Sequence, residues 1–165
     1  MAGVLTLLLV GAMGAATADD VALPNFHMVA PGIYRGAAPT EAGLRKLKAA
    51  GIKTIIDLRI SPKLVRIERA EAQALGFTWI NLPMGSDPPT KREVAILLQN
   101  LGKAPGTPVF VHCQHGADRT GCMIGIYRET VDKWTYAATF TEMRKYGFNP
   151  RWVKLSATVR KYAAR

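Results

Sequence analysis

The residues with the clearest chemistry lie in one short stretch, from Cys113 to Arg119, which we call the cysteine loop. Successive backbone N–H groups of such a loop can point inward and bind a tetrahedral anion. The N-terminus of a helix that follows would add partial positive charge. Gly116 allows a backbone conformation that a side chain would obstruct. The stretch therefore predicts an anion-binding site.

Two side chains of the cysteine loop could act on a bound phosphoryl group. The planar guanidinium of Arg119 can hold two of its oxygens at once. Cys113 should lose its proton easily, because the surrounding N–H groups and the helix end stabilise a thiolate. A thiolate placed there can attack phosphorus and form a phosphocysteine intermediate. We expect Thr120 to hydrogen-bond the departing sulfur, and His112 to orient the loop rather than act as a base.

The remaining residues of the loop are predicted to contact the substrate, although His115 could also be merely solvated. They are Gln114, His115, Gly116, Ala117 and Asp118. In residue type alone, a metal site could also be built from His112, Cys113, His115 and Asp118. Ligands so close together on a loop shaped around an anion would struggle to surround one tetrahedral ion.

The elements that must position this loop predict an α/β fold, with a mostly parallel central sheet flanked by helices. Strands are predicted over residues 33–35 (as a short edge strand), 54–58, 78–81 and 108–112. Helices are predicted over residues 40–50, 65–75, 90–101, 120–130, 135–146 and 151–164. Ligands of such folds bind beyond the carboxyl ends of the strands, where the cysteine loop would lie.

These features together resemble the protein tyrosine phosphatase superfamily, and the chain is similar to a small bacterial dual-specificity-type member. The resemblance extends to Gly32–Gly36, Pro39–Thr40 and Gly51–Arg59, and it covers about Gly32 to Pro150. It implies the dual-specificity-like cysteine phosphatase fold and a phosphomonoester hydrolase that needs no metal or other cofactor. Protein tyrosine or dual-specificity phosphatase activity is the main expectation. A phosphoinositide or lipid phosphatase and a non-catalytic phosphate-binding module are the alternatives; a sulfurtransferase would not require the Arg119–Thr120 pair.

Members of this family protonate the leaving group with an aspartate from a separate loop. The matching segment is Leu82 to Pro89, which we call the proline-rich loop, so the resemblance implies that Asp87 is the general acid. Asp87 could instead only initiate a turn before Pro88. Asp118 is its competitor, because a subset of the family, including bacterial phosphatases and phosphoinositide-acting enzymes, carries aspartate before the arginine.

Other conspicuous residues receive structural interpretations. Asp57 ends a buried strand and should satisfy backbone or arginine groups. Arg35 and Arg59 are expected in ion pairs, with extension of a positive rim as the alternative. Cys122 should be a small buried hydrophobe, too far from Cys113 for a disulfide. The tryptophans are expected to pack in the core or between helices rather than form a binding platform: Trp79, Trp134 and Trp152.

Composition and charge bound the rest of the prediction. The 165-residue chain is 48% apolar with a formal charge of +10, which suits one phosphatase domain over residues 19–165 and an anionic ligand. The positive residues are dispersed, so nucleic acid is not an expected partner. We expect a monomer that acts on a phosphorylated protein or a phospholipid-type substrate. A lipid-type substrate would bring it close to a membrane surface.

The first eighteen residues are predicted to be a signal peptide, residues 1–18. An apolar run from Val4 to Val10 is followed by small residues up to Ala18, as before a cleavage site. No lysine or arginine precedes the run, which departs from the usual pattern. An uncleaved interfacial anchor is the alternative. The expected location is periplasmic or secreted.

Overall fold

The computed structural model describes residues 21–163, so the expected signal peptide at residues 1–18 lies outside the described residues. Within residues 21–163 the strands are β1 (His27–Ala30), β2 (Ile33–Ala37), β3 (Thr54–Asp57), β4 (Thr78–Asn81) and β5 (Val109–Cys113). The helices are α1 (Glu41–Ala49), α2 (Pro62–Ala74), α3 (Lys91–Leu101), α4 (Asp118–Thr130), α5 (Tyr136–Lys145) and α6 (Val153–Tyr162). None of the helices in this part of the chain is long and apolar enough to span a bilayer.

The strands form one sheet in the order β1-β2-β5-β3-β4. Only β1, among these strands, runs antiparallel to its neighbour; the pairs β2–β5, β3–β5 and β3–β4 are parallel. The predicted α/β architecture with a mostly parallel sheet is therefore confirmed. The central position of β5 carries the chain to the cysteine loop at the carboxyl edge of the sheet.

The prediction that β2 is an edge strand is wrong. β2 lies between β1 and β5, and β1 occupies the edge. β1 and β2 form a hairpin through Gly32, whose φ of 77° suits glycine. β1 was not predicted from the sequence. Its residues are only partly buried or exposed, so it lacks the apolar alternation of a half-buried strand.

The neighbouring strands β3 and β5 are buried at every position, which is why their sequences are nearly continuous apolar runs. Alternate side chains reach opposite faces of the sheet. Ile55 and Phe110 pack into a smaller cluster with α1 and α2 side chains. Ile56 and Val111 pack into the larger cluster on the other face. The end of β5 is thereby fixed from both sides.

The helix ends follow the capping signals of the sequence. Thr90 and Glu93 form a complete capping box at the start of α3, as predicted. The helix after the cysteine loop starts at Asp118, earlier than the predicted Thr120. The helix predicted from Val65 starts at Pro62, because proline is favoured in the first turn of a helix.

Candidate active site

The cysteine loop turns sharply over the end of β2. Gly116 has a φ of 67°, in the left-handed region that glycine adopts without strain. A Cβ atom at this position would lie 2.4 Å from the carbonyl carbon of Gly36. The loop therefore needs glycine here for both its backbone conformation and its close approach to β2.

Three successive carbonyl oxygens of the cysteine loop are held from outside the loop. The hydrogen bonds run from the Ala38 N–H to the Gln114 oxygen (3.3 Å), from Asn25 Nδ2 to the His115 oxygen (3.2 Å) and from Arg35 Nη2 to the Gly116 oxygen (2.8 Å). Because the N–H and C=O of a trans peptide point in opposite directions, this arrangement turns the intervening N–H groups inward. The predicted nest for an anion is thus built by residues outside the sequence motif.

Cys113 lies at the floor of this loop with 2% of its surface exposed. Burial alone would raise the pKa of its thiol, but opposing interactions outweigh it and lower that pKa. They come from the Thr120 hydroxyl, the Thr120 N–H, the Arg119 charge and the His115 N–H, in that order. The Thr120 hydroxyl is buried and, among residues 21–163, has no other hydrogen-bond partner. The site therefore favours a thiolate at Cys113.

Arg119 lies at the start of α4 and lines the cavity above the loop. Its Nη1 donates to the Met84 carbonyl oxygen at 3.3 Å, which links it to the proline-rich loop. Met84 is itself buried, and its N–H donates to the Leu58 oxygen at 3.1 Å. These contacts hold the guanidinium over the anion site.

A cavity of about 430 Å³ opens above the cysteine loop. Its lining residues are Arg59, Ile60, Ser61, Leu64, Gly85, Ser86, Gln114, His115, Asp118, Arg119, Trp152 and Leu155. Ile60, Leu64, Trp152 and Leu155 give this lining an apolar part beside the polar groups of the cysteine loop. The expectation that Trp152 serves only for packing is wrong, because it is 38% exposed and faces this cavity. Its position at the N-cap of α6 brings it there.

A buried charged network lies behind β5. His112 is fully buried; its Nε2 lies 2.9 Å from Glu68 Oε1 and its Nδ1 lies 3.2 Å from the Cys113 carbonyl oxygen. Glu68 also accepts from Arg59 Nη2 at 2.6 Å, and Arg59 pairs with Asp57. His112 therefore contacts the loop backbone from behind, and its role in orienting the loop stays a prediction. Asp57 pairs with an arginine, as expected of it.

Charge within this network shifts two pKa values. Burial opposes both charged forms, but the Glu68 carboxylate holds the pKa of His112 above its usual value. The same pair holds the pKa of Glu68 below its usual value, again against burial. Glu68 was not predicted from the sequence. The available signal was its position four residues before Ala72, which places both on the buried face of α2.

Ligand-type atoms of Asp57, Glu68 and His112 lie within 4.8 Å of one another. The group does not suit a metal ion, because Arg59 donates hydrogen bonds to both carboxylates and places a positive charge among them. The arrangement is that of an ion-pair network.

The two candidate acids have different surroundings. Asp118 lines the cavity, and its Oδ1 accepts the Asn149 N–H at 2.8 Å. Asp87 is exposed, and its Oδ1 lies 2.7 Å from Lys154 Nζ. Of its loop, Gly85 and Ser86 line the cavity, but the structure does not bring the Asp87 carboxylate to the anion site.

The fold and site together define a class of protein, and comparison with known proteins identifies it. Residues 18–161 match the family model described as "DSP-PTPase phosphatase fused to NAD+ Kinase". The chain therefore belongs to the DSP-PTPase family of cysteine-dependent phosphatase domains.

Two relatives and one solved structure illustrate this membership. The chain is 29% identical over 125 residues to the dual specificity protein phosphatase TpbA of Pseudomonas aeruginosa, a match that spans 75% of this chain and 55% of TpbA. It is 32% identical over 132 residues to the inositol diphosphatase DSP3 of Arabidopsis thaliana, spanning 76% of this chain and 64% of that protein. The crystal structure of a TpbA variant in complex with phosphotyrosine is similar with a TM-score of 0.70 and 26% identity, covering 93% of this chain and 91% of the other.

Proposed function

We propose that the protein is a metal-independent phosphomonoester hydrolase that acts through a phosphocysteine at Cys113. The observation that carries the proposal is the position of this thiol: it lies at the floor of an N–H-lined loop, its pKa is lowered, and Arg119 stands above it. Each of these features serves an anionic substrate rather than the stability of the fold. Relatives described as phosphatases support the same assignment.

The reaction would take place in two displacements at phosphorus. The Cys113 thiolate attacks phosphorus, and the bond from phosphorus to the leaving oxygen breaks. That oxygen takes a proton from Asp87, once the proline-rich loop has moved this carboxyl group towards the anion site. Water then attacks the phosphocysteine, gives a proton to the Asp87 carboxylate, and the sulfur–phosphorus bond breaks to restore the thiolate. Arg119 and the loop N–H groups bind the equatorial oxygens throughout. Thr120 stabilises the sulfur as it leaves.

The cavity favours a phosphate ester with an aromatic leaving group, such as phosphotyrosine. Its apolar wall includes Ile60, Leu64 and Trp152. Among the described residues that line it, the arginines are Arg59 and Arg119, and Arg59 is already paired with Asp57 and Glu68. A ligand carrying many phosphates would find few unpaired charges here. The relative described as an inositol diphosphatase makes that class the second candidate.

The test of the activity is hydrolysis of an aryl phosphate by the full chain in the presence of a chelator and a reducing thiol. We expect turnover that Cys113→Ser abolishes and that Cys122→Ser leaves within about twofold. Cys122 is the matched control because it is buried, with a pKa raised to about 12, and lies away from the loop floor. Activity that survives Cys113→Ser, or that the chelator removes, would contradict the proposal.

The substrate class needs a separate comparison of kcat/KM for a phosphotyrosine peptide and for an inositol diphosphate. We expect the peptide to be preferred, and Trp152→Ala to reduce that preference by about fivefold, since one well-packed aromatic contact contributes about 1 kcal/mol. A preference for the inositol compound would favour the second candidate.

We also propose an exported protein, on the strength of the apolar segment at residues 4–10 and the small residues that follow it. Expression of the full chain with N-terminal sequencing of the product tests this. A product that starts near Asp19 and leaves the cytoplasm is the expected result; an uncleaved cytoplasmic product would contradict it.

A further inference from the structure

Arg35 is a buried arginine directly beneath the cysteine loop. It lies on β2 with none of its surface exposed. Its Nη2 donates to the Gly116 carbonyl oxygen at 2.8 Å, and its guanidinium carbon lies 4.6 Å from the centre of the Tyr146 ring. From the sequence, Arg35 was expected in an ion pair or at an exposed rim, and neither is found in residues 21–163.

The contrast with two other largely buried arginines is informative. Arg59 pairs with Asp57 and Glu68. Arg128 pairs with Asp132 and Glu142. Within the described part of the chain, Arg35 has no carboxylate at ion-pair distance, and its Nε and Nη1 have no hydrogen-bond partner. A buried charge without a counter-charge is costly, so this one needs an anion from elsewhere.

The surroundings of Arg35 point to Cys113 as that anion. Burial lowers the pKa of Arg35 to about 10, and the groups that oppose this shift are Glu142, Tyr146 and Cys113. Both oxygens of Glu142 already accept hydrogen bonds from Arg128. The Cys113 thiolate, and a phosphoryl group bound above it, carry negative charge. Arg59 and Arg128, which are paired with carboxylates, do not neutralise this charge. The Arg35 charge also acts on its other side, since it adds to burial in lowering the pKa of His27.

We propose that Arg35 is a positioning residue and buried counter-charge of the cysteine loop, fixing the Gly116 carbonyl and stabilising the anion at Cys113. It acts from beneath the loop, whereas Arg119 acts from the cavity side. The proposal rests on the proposed function for its use in catalysis. Its electrostatic part concerns the thiol itself, and it can be measured without any turnover.

Two substitutions separate the charge of Arg35 from its hydrogen bond. Arg35→Gln keeps a donor for the Gly116 carbonyl and removes the charge, whereas Arg35→Lys keeps the charge and loses the planar fork. The readout is the pH midpoint of alkylation of Cys113 by iodoacetamide, located by mass spectrometry. We expect Arg35→Gln to raise the midpoint by about one pH unit and Arg35→Lys to raise it by less than half as much. Equal midpoints in the two variants and the unmodified protein would overturn the proposal.

Ile52→Ala is the control for general destabilisation, because Ile52 is fully buried in the smaller cluster, which includes neither Arg35 nor a residue of the cysteine loop. It should lower the melting temperature without moving the alkylation midpoint. If the control shifted the alkylation midpoint by the same amount, the shift in Arg35→Gln would reflect general destabilisation and not the loss of its charge. That result would overturn the proposal.

A second measurement covers the case in which Arg35→Gln fails to fold. In the full chain labelled with ¹⁵N-arginine, the Arg35 Nε–H resonance should shift with pH at the alkylation midpoint of Cys113, and Cys113→Ser should abolish that shift. The Arg128 resonance should not follow the thiol. An Arg35 resonance that stays constant while Cys113 ionises would overturn the proposal. Because neither measurement needs a substrate, an inactive enzyme with the expected titration would refute the proposed function and leave the role of Arg35 intact.

Discussion

The two loops beside the cavity differ in how firmly the protein holds them. The carbonyl oxygens of the cysteine loop are bonded to β2 and its flanks, and Gly116 packs against the backbone of Gly36. The proline-rich loop is anchored at the buried Met84, but residues 85–88 are exposed, and Asp87 is held by a surface ion pair with Lys154. The loop proposed to bind the anion is therefore held in place, whereas the proposed proton donation by Asp87 requires the proline-rich loop to move. The following predictions test this division.

The first prediction concerns Gly116→Ala in the cysteine loop. A methyl group there would meet the Gly36 backbone and would force a left-handed residue, which costs about 1–3 kcal/mol before the clash is counted. We expect kcat/KM for an aryl phosphate to fall at least about 100-fold, since 2.7 kcal/mol corresponds to that factor.

Gly85→Ala in the proline-rich loop is the matched control for Gly116→Ala. A Cβ atom at Gly85 has no neighbour within 4 Å among the described residues, so kcat/KM should stay within about twofold. If the two alanine variants lost activity equally, the cysteine loop would not be the more constrained of the two.

The second prediction concerns the proton donor. Asp87→Asn should lower kcat by about 10²–10⁴-fold, the usual range for loss of a general acid, and the loss should be smallest for aryl phosphates with acidic leaving groups. Asp118→Asn should lose less than about 10-fold, because an asparagine oxygen can still accept the Asn149 N–H. The measurement is kcat for a series of aryl phosphates. The opposite ranking would assign the acid to Asp118 and remove the need for loop movement.

The third prediction concerns support of the cysteine loop from behind. Glu68→Gln should destabilise the protein by about 3–5 kcal/mol, because breaking a buried ion pair leaves its partners uncompensated. The pKa of Glu68 is lowered, so its contribution is present above its unfolded value of 4.5 and is lost as pH falls through the folded value. The pKa of His112 is raised, so its contribution is present below 6.5 and is lost as pH rises through the folded value.

The destabilisation by Glu68→Gln should therefore be largest between about pH 4.5 and 6.5, as measured by urea unfolding across the pH range. Glu41→Gln is the control: Glu41 forms an exposed pair with Arg45, and its loss should cost less than about 0.5 kcal/mol at any pH. A pH-independent effect of Glu68→Gln would show that packing, not charge, is what Glu68 contributes.

The sequence predicted the parts of the site that are contiguous in the chain. The buried run before Cys113 and the glycine and arginine after it suffice to indicate a strand, an anion loop and a helix, and the fold class follows from the alternation of elements. The supports of the loop come from distant positions, namely Asn25, Arg35 and Glu68. Whether these residues reach the loop depends on which strands and helices are neighbours. The order β2-β5-β3 cannot be predicted from the local periodicity of the sequence. Trp152 was missed for the same reason, since only tertiary packing brings α6 to the cavity.

The smallest effect is expected from Lys154→Met, which removes the ion pair of Asp87. Both side chains are largely exposed, at 70% and 75%, so solvent screens the pair and it stabilises the present loop position only weakly. Releasing Asp87 can therefore raise kcat/KM by no more than about fivefold, with the melting temperature almost unchanged. The gain should vanish in about 1 M salt, where screening already weakens the pair in the unmodified protein. Lys161→Met on the same helix is the control and should change neither quantity. A loss of activity in Lys154→Met instead would mean that the ion pair supports the active position of Asp87, and the proline-rich loop would then be organised by α6 rather than free to move.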